Sequence, residues 1–321
     1  MMPITEETRS RLAGIPNLTV SPCVPLSRYT RFGIGGPADL FAETASPDAF
    51  AQALEWAGAS AVPVMVIGGG TNLIVSDSGF RGLVLRYNAS RLSVDGERVT
   101  ADAGAVLQDL VDFANGLGLK GLETLAGIPG WVGAAVYGNA GAYGHSLHEF
   151  VRAVRFFDGQ RVRVFDNAQC EFRYRESVFK RHKQWTIFSA DLQLSRARAE
   201  ELQETSAGIL ATRNAKFPPT MKCAGSIFKN FLLADLPEKV RLLLPPAVIR
   251  EGKVPSAWFL EQVGAKGAHL GGIRVADYHA NLIYNEGGGT ARELSILIGD
   301  LKQRVRERFG IELEEEVQYV G

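Results

Sequence analysis

The residues best suited to binding chemistry in this sequence are glycines, set at close intervals in an otherwise apolar stretch. Six of the eighteen residues of Gly127–Gly144 are glycine, at positions 127, 130, 133, 138, 141 and 144. Glycine is costly in regular structure but permits positive φ and close approach of the backbone to a ligand. The residues between are small or apolar, which is not the composition of a flexible linker. Tight turns packed in a core are one interpretation; the pattern favours a backbone wall laid against a large flat ligand.

A second glycine cluster, Gly68-Gly-Gly-Thr-Asn72, follows the apolar run Val62–Ile67, which predicts a buried strand. Successive glycine N–H groups can form a nest that binds an anion such as a pyrophosphate. The next residues, from Leu73 to Asp77, are typical of a strand, whereas a Rossmann fingerprint opens a helix. Taken alone, the cluster indicates either an ordinary loop or a pyrophosphate-binding loop.

Metal and disulfide chemistry are not indicated by the remaining reactive residues. Cys23, Cys170 and Cys223 have no CxxC spacing, which is typical of a reducing compartment without structural zinc. His145 and His148 are three residues apart but have no third ligand nearby in the sequence. We therefore expect no metal site.

Composition and charge describe a cytoplasmic protein of more than one domain. The chain has 321 residues, 46% of them hydrophobic, so two or three domains with real cores are expected. Lys+Arg and Asp+Glu both number 35, a balance that argues against a nucleic-acid surface or a polybasic membrane surface. The N-terminal residues lack an apolar signal core, and no 18-residue apolar run occurs.

The helices and strands that must position the glycine clusters are predicted from the periodicity of apolar residues and from helix-capping and turn residues. Residues 5–13 predict a short helix, and a β-α-β start follows, with a strand over 38–42 and a helix capped by Ser46 with Pro47 at its first position. The β-rich middle has predicted strands over 82–87, 91–94, 98–103, 150–157, 161–165 and 185–194, and helices over 106–114 and 197–212. Beyond the Phe217-Pro-Pro219 segment we predict helices over 256–263 and 291–309 and a strand over 280–284. The sequence thus predicts an α+β fold with a separate C-terminal domain.

Six motifs, in this order, resemble those of the UDP-N-acetylenolpyruvoylglucosamine reductases, flavoenzymes that make UDP-N-acetylmuramate for bacterial peptidoglycan. They are Arg31-Phe-Gly-Ile-Gly-Gly36, Gly68-Gly-Gly-Thr-Asn-Leu73, Gly127–Gly144, Tyr174-Arg-Glu-Ser177, Gly225-Ser-Ile-Phe-Lys-Asn230 and Leu313-Glu-Glu-Glu-Val317. The resemblance covers residues 25–321. It implies a two-subdomain FAD-binding domain of the vanillyl-alcohol-oxidase (PCMH) type, over residues 1–80 and 81–216, and an α+β substrate domain over 217–321.

The resemblance also implies a reaction and three catalytic residues. NADPH would give a hydride to non-covalent FAD, which passes it to the enolpyruvyl β-carbon of UDP-N-acetylglucosamine enolpyruvate. Arg175 matches the arginine that stabilises the resulting enolate, Ser226 the proton donor, and Glu316 the third catalytic residue. By residue type alone these would be a surface arginine, a turn serine and part of a solvated acidic face. No nucleic acid, membrane or obligate protein partner is implied.

Ligand contacts come from the same matches. The pyrophosphate of FAD is expected against Gly68–Asn72 and its isoalloxazine along Ile128–Tyr143. The expected cofactor residues are Gly68, Gly69, Gly70, Thr71, Asn72, Leu73, Ile128, Pro129, Gly130, Gly133, Ala134, Asn139, Gly141, Ala142 and Tyr143. The expected substrate residues are Arg213, Lys216, Lys229, Asn230 and His279. Replacing Gly133 by valine is expected to expel the cofactor at near-normal fold stability.

One departure from the family pattern lies beside Glu316. Position 315 is glutamate where many relatives have proline. Alternation over 311–319 predicts that the apolar residues share one face and that Glu316 lies on the other. The apolar face would hold Ile311, Leu313, Val317 and Tyr319.

A second departure is a missing tyrosine. Members with a long insertion carry a tyrosine loop before the Arg-x-x-Lys segment, but no tyrosine lies between Leu194 and Arg213 here. The chain therefore resembles the shorter class.

Two other functions compete with this interpretation. A flavin-dependent alcohol or sugar oxidase of the same fold could attach FAD covalently through His145 or His148, and a non-catalytic nucleotide-binding protein would take up no FAD. Since no second dinucleotide fingerprint exists, we hypothesise that NADPH and the sugar nucleotide use one site in turn.

Overall fold

The computed structural model describes residues 6–321 and contains nine α-helices within that range. They are α1 Glu6–Ala13, α2 Pro47–Ala59, α3 Leu107–Gly116, α4 Val132–Tyr137, α5 Val178–Arg181, α6 Ala199–Lys216, α7 Glu238–Arg241, α8 Ser256–Gln262 and α9 Ala291–Phe309. The strands of the first half are β1 Thr19–Pro25, β2 Pro37–Thr44, β3 Val64–Val66, β4 Leu73–Val75, β5 Phe80–Tyr87, β6 Leu92–Asp95, β7 Arg98–Asp102, β8 Leu119–Lys120, β9 Gly141–Ala142, β10 His145–Ser146 and β11 Val151–Phe157. Those of the second half are β12 Val162–Asp166, β13 Thr186–Gln193, β14 Ser195–Arg196, β15 Lys222–Ser226, β16 Phe231–Leu232, β17 Lys253–Val254, β18 His269–Leu270, β19 Ile273–Ala276, β20 His279–Asn285 and β21 Gln318–Val320.

The chain forms two compact units, each assembled from several segments. Unit 1 takes residues 6–24, 38–69 and 81–219, and unit 2 takes residues 25–37, 70–80 and 220–321. The predicted substrate domain thus lies in unit 2, which also includes two short segments from the first quarter of the chain. The boundaries at residues 80 and 216 stay a prediction.

Unit 1 is built on two sheets with one shared core. The first sheet has the order β1-β2-β5-β3, and the second, antiparallel sheet has the order β12-β11-β13-β7-β6. Phe50 of α2 lies edge-on to Tyr87 of β5 and to Phe188 of β13, with ring centroids 6.0 and 5.6 Å apart. Because these three rings come from a helix and from both sheets, they join the two layers in one apolar core.

Unit 2 combines an antiparallel sheet with two helices. The sheet has the order β15-β20-β19-β18, and α8 and α9 pack against it. A separate parallel pair joins β21 to β4, with Gln318 opposite Leu73 and Val320 opposite Val75. The aromatic rings of Phe259 in α8 and Phe309 at the end of α9 meet with centroids 5.2 Å apart.

Most predicted elements are confirmed, and the helix ends show why. Ser46 accepts a hydrogen bond from Ala49 N at the start of α2, and Thr290 and Glu293 form a capping box at the start of α9. Gly310 ends α9 with a φ of 66°, in the left-handed region. For the predicted helix over 5–13, residue 5 lies outside the described residues.

Two stretches differ in detail from what the sequence predicted. The helix expected over 197–212 runs from Ala199 to Lys216, so Arg213 and Lys216 lie on its last turns, where cations complement the helix dipole. The Gly127–Gly144 stretch contains a regular helix, α4, which its glycine content did not suggest.

Candidate active site

In unit 1, Gly68 and Gly69 lie against the indole of Trp131. A Cβ on Gly69 would stand 3.1 Å from Trp131 Cδ1, and one on Gly68 would stand 3.7 Å from the Ala134 Cβ. Arg86 Nε donates to the Gly68 carbonyl at 3.2 Å, and its guanidinium lies 4.3 Å from the Trp131 ring centroid. This end of the loop therefore packs against a cation–π pair formed by Arg86 and Trp131.

In unit 2, the remainder of this loop is held by its backbone. Gly70 has a φ of 66°, and a Cβ there would stand 1.6 Å from the Tyr29 carbonyl oxygen, so only glycine fits. Thr71 and Asn72 are half-buried, and Leu73 begins β4. Asn72 Nδ2 donates to the Glu316 carbonyl at 2.8 Å, and Gln318 N donates to the Asn72 carbonyl at 2.9 Å. Asn72 thus connects the predicted pyrophosphate loop to the C-terminal catalytic segment.

The first part of the Gly127–Gly144 stretch is a turn followed by α4. Gly127 and Gly130 have φ values of 74° and 119°, with Ile128 half-buried and Pro129 exposed between them. The Gly130 carbonyl accepts the Leu107 N–H at 2.9 Å. Ala134 is exposed on α4. An apolar, glycine-lined surface of this kind fits a flat ring.

Gly133 is needed for packing within unit 1. Its N–H donates to the Ala103 carbonyl at 2.9 Å, and a Cβ would stand 2.8 Å from the Ala103 Cβ. A valine would therefore clash within unit 1, and the expectation that Gly133→Val leaves the fold near normal is wrong.

The second part of the stretch is a two-residue hairpin. Ala142 of β9 pairs with His145 of β10, and the turn residues Tyr143 and Gly144 have φ values of 52° and 81°. Tyr143 is exposed at the tip. Gly141 cannot carry a side chain, because a Cβ would stand 2.5 Å from the His145 carbonyl oxygen.

Asn139 holds this part of the chain together. It is 3% exposed; its Nδ2 donates to the Arg173 carbonyl at 2.9 Å, and its Oδ1 accepts the His148 N–H at 3.0 Å. Its side chain therefore fixes the turn that carries Arg175.

Arg175 occupies a strained position in that turn. Arg173 and Glu176 exchange two backbone hydrogen bonds across it, and Arg175 has a φ of 55°. Lys180 Nζ donates to the Arg175 carbonyl at 3.0 Å, and the guanidinium donates to the Gly141 carbonyl at 3.0 Å. A non-glycine residue at positive φ costs on the order of 1–3 kcal/mol and is enriched at functional sites. The structure thus brings the predicted enolate stabiliser next to the predicted flavin-binding stretch.

Arg213 and Lys216 lie at the end of α6, and Arg213 contacts the other end of this stretch. A Cβ on Gly127 would stand 2.9 Å from Arg213 Cδ, so the arginine stem covers that glycine. The Lys216 ammonium lies 5.1 Å from the Phe217 ring centroid and is exposed.

In unit 2, the segment Ser226–Asn230 is bonded to the segment that carries Glu316. Glu316 N donates to the Ile227 carbonyl at 2.7 Å, and Lys229 N donates to the Glu314 carbonyl at 2.9 Å. Lys229 is 7% exposed and its ammonium is paired with the Glu314 carboxylate. The predicted proton donor Ser226 and Glu316 therefore lie on adjoining segments of one unit.

The other two substrate candidates, Asn230 and His279, also lie in unit 2. Asn230 Oδ1 accepts the Ser256 N–H at 3.4 Å, and the His279 Nδ1 accepts the Asn281 N–H at 3.1 Å at the start of β20.

The predicted alternation over 311–319 holds only in part. Ile311, Leu313 and Val317 are buried, but Tyr319 is 49% exposed and Val320 is buried in its place. The alternation breaks after Val317, where β21 begins its parallel pairing with β4. Glu316 is half-buried.

Comparisons with known proteins agree with this geometry. Residues 38–163 match the FAD binding domain, and residues 217–320 match the UDP-N-acetylenolpyruvoylglucosamine reductase, C-terminal domain. The UDP-N-acetylenolpyruvoylglucosamine reductase of Solibacter usitatus is 73% identical, over 97% of this chain and 100% of its own length. That of Geotalea uraniireducens is 36% identical over 99% of both chains. The crystal structure of the enzyme from Thermus caldophilus superposes with a TM-score of 0.73 at 29% identity, covering 95% of this chain and all of that one.

The chain belongs to the UDP-N-acetylenolpyruvoylglucosamine reductase family. It is accordingly an FAD-dependent oxidoreductase, with an FAD-binding domain of the vanillyl-alcohol-oxidase type and a C-terminal α+β domain. Neither the oxidase nor the non-catalytic alternative is the family that it matches. Among residues 6–321 no helix is long and apolar enough to cross a membrane, and no three acidic, histidine or cysteine side chains group as metal ligands.

The residues of this reductase fit FAD as far as their chemistry shows. Peptide N–H groups and the Thr71 hydroxyl suit a pyrophosphate, and Gly68 leaves room that a side chain would fill. The apolar surface from Ile128 to Ala134 suits the isoalloxazine. These assignments stay predictions.

Three supporting residues escaped the sequence reasoning. Asn281, 2% exposed, receives the Phe228 N–H on Oδ1 and donates Nδ2 to the Phe228 carbonyl, which fixes the segment that carries Ser226. In unit 1, Arg86 donates to the Gly68 carbonyl, and its guanidinium lies over the Trp131 ring. A polar Asn281 inside the apolar run of β20 was the available signal; nothing local marked Arg86.

Proposed function

We propose that this protein reduces the enolpyruvyl group of UDP-N-acetylglucosamine enolpyruvate to give UDP-N-acetylmuramate, with NADPH as hydride donor, in peptidoglycan precursor synthesis. The observation that carries the proposal is the pair of hydrogen bonds joining Ile227–Lys229 to Glu314–Glu316, beside Ser226. The reaction is assigned to the cytoplasm, where its product serves cell-wall growth, cell shape and division. No membrane, nucleic acid or obligate protein partner is required.

Held by Gly68–Asn72 and Ile128–Tyr143, FAD would supply hydride transfer between NADPH and the β-carbon of the enolpyruvyl group. We assign to Arg175 the stabilisation of the negative charge that then develops on the substrate carboxylate and α-carbon. Its planar guanidinium matches a carboxylate, and removing such a preorganised donor typically costs about 10²–10³-fold in rate. Its strained backbone, held by Lys180, supports the assignment.

Ser226 is assigned as the proton donor to the α-carbon, and Glu316 as the third catalytic residue of that centre. A serine hydroxyl is a weak acid, but an enolate carbon is a strong base, so the transfer is downhill. The hydrogen-bonded segments that carry Ser226 and Glu316 support a shared task.

Arg213, Lys216, Lys229, Asn230 and His279 are assigned to the anionic sugar nucleotide. All five have N–H donors suited to phosphate and carboxylate oxygens, and four of them carry or can carry a positive charge. Lys229 is engaged by Glu314, so substrate would share or exchange that partner. We also propose that NADPH and the sugar nucleotide occupy one site in turn.

The first prediction tests Ser226. In Ser226→Ala, the half-reaction with NADPH needs no proton for an enolate and should keep its normal rate. The half-reaction with the enolpyruvyl substrate should slow by about 10²–10⁴-fold, the usual range for a general acid. Stopped-flow flavin absorbance measures both halves separately.

The matched control is Ser256→Ala, because Ser256 is a buried serine of the same unit whose hydroxyl donates to the Lys229 carbonyl. It should affect stability without separating the two halves. If the rate of the enolpyruvyl half-reaction in Ser226→Ala stays within tenfold of that of the unaltered protein, Ser226 is not the proton donor.

A further inference from the structure

Glu315, the neighbour of Glu316, is held by two side chains from other parts of unit 2. The Lys302 ammonium on α9 lies 2.7 Å from Glu315 Oε1, and the Tyr319 hydroxyl in β21 donates to Oε2 at 2.5 Å. Both carboxylate oxygens are thus engaged. Glu315 fastens the segment before β21 to a 19-residue helix and to the strand that follows.

This contact is better shielded than the other ion pair between α9 and the same segment. The Glu315 and Lys302 side chains are 17% and 29% exposed, whereas the Glu312 and Arg306 side chains are 60% and 57% exposed. Exposed pairs contribute about 0–1 kcal/mol because water and salt screen them. A shielded carboxylate with two donors has a more defined geometry.

The backbone around Glu315 explains how this anchor can act on its neighbour. The hydrogen bonds from Lys229 N to Glu314 O and from Glu316 N to Ile227 O flank the bridge between Phe228 and Glu315. Phe228 and Glu315 thus form a non-hydrogen-bonded pair, whose two residues exchange no backbone hydrogen bond with each other. Since successive side chains of extended backbone point to opposite faces, fixing Glu315 towards α9 directs Glu316 away from it.

We propose that Glu315 is a positioning residue for the reaction. Through Lys302 and Tyr319 it fixes the backbone from which Glu316 projects, and so aims the Glu316 carboxyl at the reacting centre. The inference rests on the proposed function, because it requires Glu316 to act there. Misplacement of a catalytic group by about 1 Å can cost up to about 10²-fold in rate.

The test is Glu315→Ala, followed by hydrogen exchange and by half-reaction kinetics. Exchange of the Glu316 and Gln318 amides, which are bonded to Ile227 and Asn72, should become about tenfold faster as local opening becomes easier. The enolpyruvyl half-reaction should slow by about tenfold through misplacement of Glu316, while the NADPH half-reaction keeps its rate.

Three variants sharpen the result. Glu315→Pro should restore both slow amide exchange and the rate of the enolpyruvyl half-reaction. A residue in a non-hydrogen-bonded pair needs no N–H for the ladder, and proline fixes φ. Lys302→Met, which leaves the segment itself unaltered, should reproduce the effect of Glu315→Ala if that variant folds poorly. Glu312→Ala is the matched control: it removes the exposed ion pair from the same segment and should change neither readout.

Unchanged amide exchange or an unchanged enolpyruvyl half-reaction in folded Glu315→Ala would overturn the proposal, as would equal slowing of both halves. The proposed function is tested separately by Glu316→Gln. If that variant keeps a normal enolpyruvyl half-reaction, the role of Glu316 fails, whereas the exchange result for Glu315 still stands as a measurement of anchoring.

Discussion

Gly68 and Gly70 are two residues apart and owe their identity to different constraints. Gly70 has a φ of 66° and no room for a Cβ beside the Tyr29 carbonyl, so the fold itself requires it. Gly68 is not at positive φ, and a Cβ would meet Ala134 and Trp131 at ordinary distances of 3.7 and 4.0 Å. Only a ligand would exclude a side chain at Gly68, which makes it the sharper probe of the cofactor assignment.

We therefore predict that Gly68→Ala folds normally but binds FAD at least about tenfold more weakly, a loss of about 1.4 kcal/mol. Thermal melting of the apoprotein and FAD titration measure the two effects. Gly58→Ala is the neutral control, since a Cβ there has nothing within 4 Å and lies in α2. Normal FAD affinity in Gly68→Ala would place the pyrophosphate elsewhere.

At the scale of elements, β20 supports the segment that carries Ser226 through one buried side chain. Asn281 bonds both the N–H and the carbonyl of Phe228, at 2.9 and 2.8 Å. Asn285, in the same strand, does comparable work elsewhere: it donates to the Phe32 carbonyl and accepts the Gly287 and Gly289 N–H groups. The two asparagines offer a matched pair.

We predict that Asn281→Ala lowers the free energy of unfolding by about 2–4 kcal/mol, because it strands two buried backbone groups. It should also slow the enolpyruvyl half-reaction. Asn285→Ala should cost comparable stability without that kinetic effect. Urea unfolding and stopped-flow absorbance provide the comparison. Identical half-reaction rates in the two variants would show that Asn281 has no specific effect on the segment that carries Ser226.

Local signals predicted the elements well and their long-range contacts poorly. The capping box of Thr290 with Glu293 and the glycine at position 310 are local signals at the two ends of α9. The bounds of this helix could therefore be predicted from the sequence. The exposure of Tyr319 could not: the alternation breaks after Val317, in a strand whose partner, Leu73–Val75, is remote in sequence. Motif resemblance named Ser226 and Glu316, but only the structure shows that Asn72, Asn281 and Glu315 support their segments. The prediction that Gly133→Val keeps its fold stability was wrong for the same reason, because the neighbour of Gly133, Ala103, is remote in sequence.

At the scale of the molecule, unit 1 carries two buried weak acids that hold their protons more tightly when folded. Burial raises the pKa of Tyr87 from 10.0 to about 12, with a smaller contribution from Asp102. Burial also raises the pKa of the Cys170 thiol from 9.0 to about 12. In both cases the unfolded chain ionises first, so raising the pH favours unfolding.

We predict that the free energy of unfolding falls as the pH rises from about 9 towards about 12. Tyr87 alone accounts for up to about 3 kcal/mol, since its pKa shifts by about two units at about 1.4 kcal/mol each. Urea unfolding from pH 8 to 11 should show a shallower fall in Tyr87→Phe than in the unaltered protein. Equal slopes would mean that Tyr87 ionises as readily folded as unfolded.

The parallel pairing of β21 with β4 has a consequence for how the nascent protein matures on the ribosome. Unit 1 has all its segments once residue 219 has emerged, but β4 has no partner until residues 318–320 follow. At synthesis rates of 5–20 residues per second, roughly 10–50 s pass between the synthesis of Leu73–Val75 and that of residues 318–320. During this interval the apolar strand Leu73–Val75 is an open edge, able to pair with another chain. Residues 318–320 therefore close the strand on which the loop Gly70–Asn72 depends, and translation speed sets how long that edge stays open.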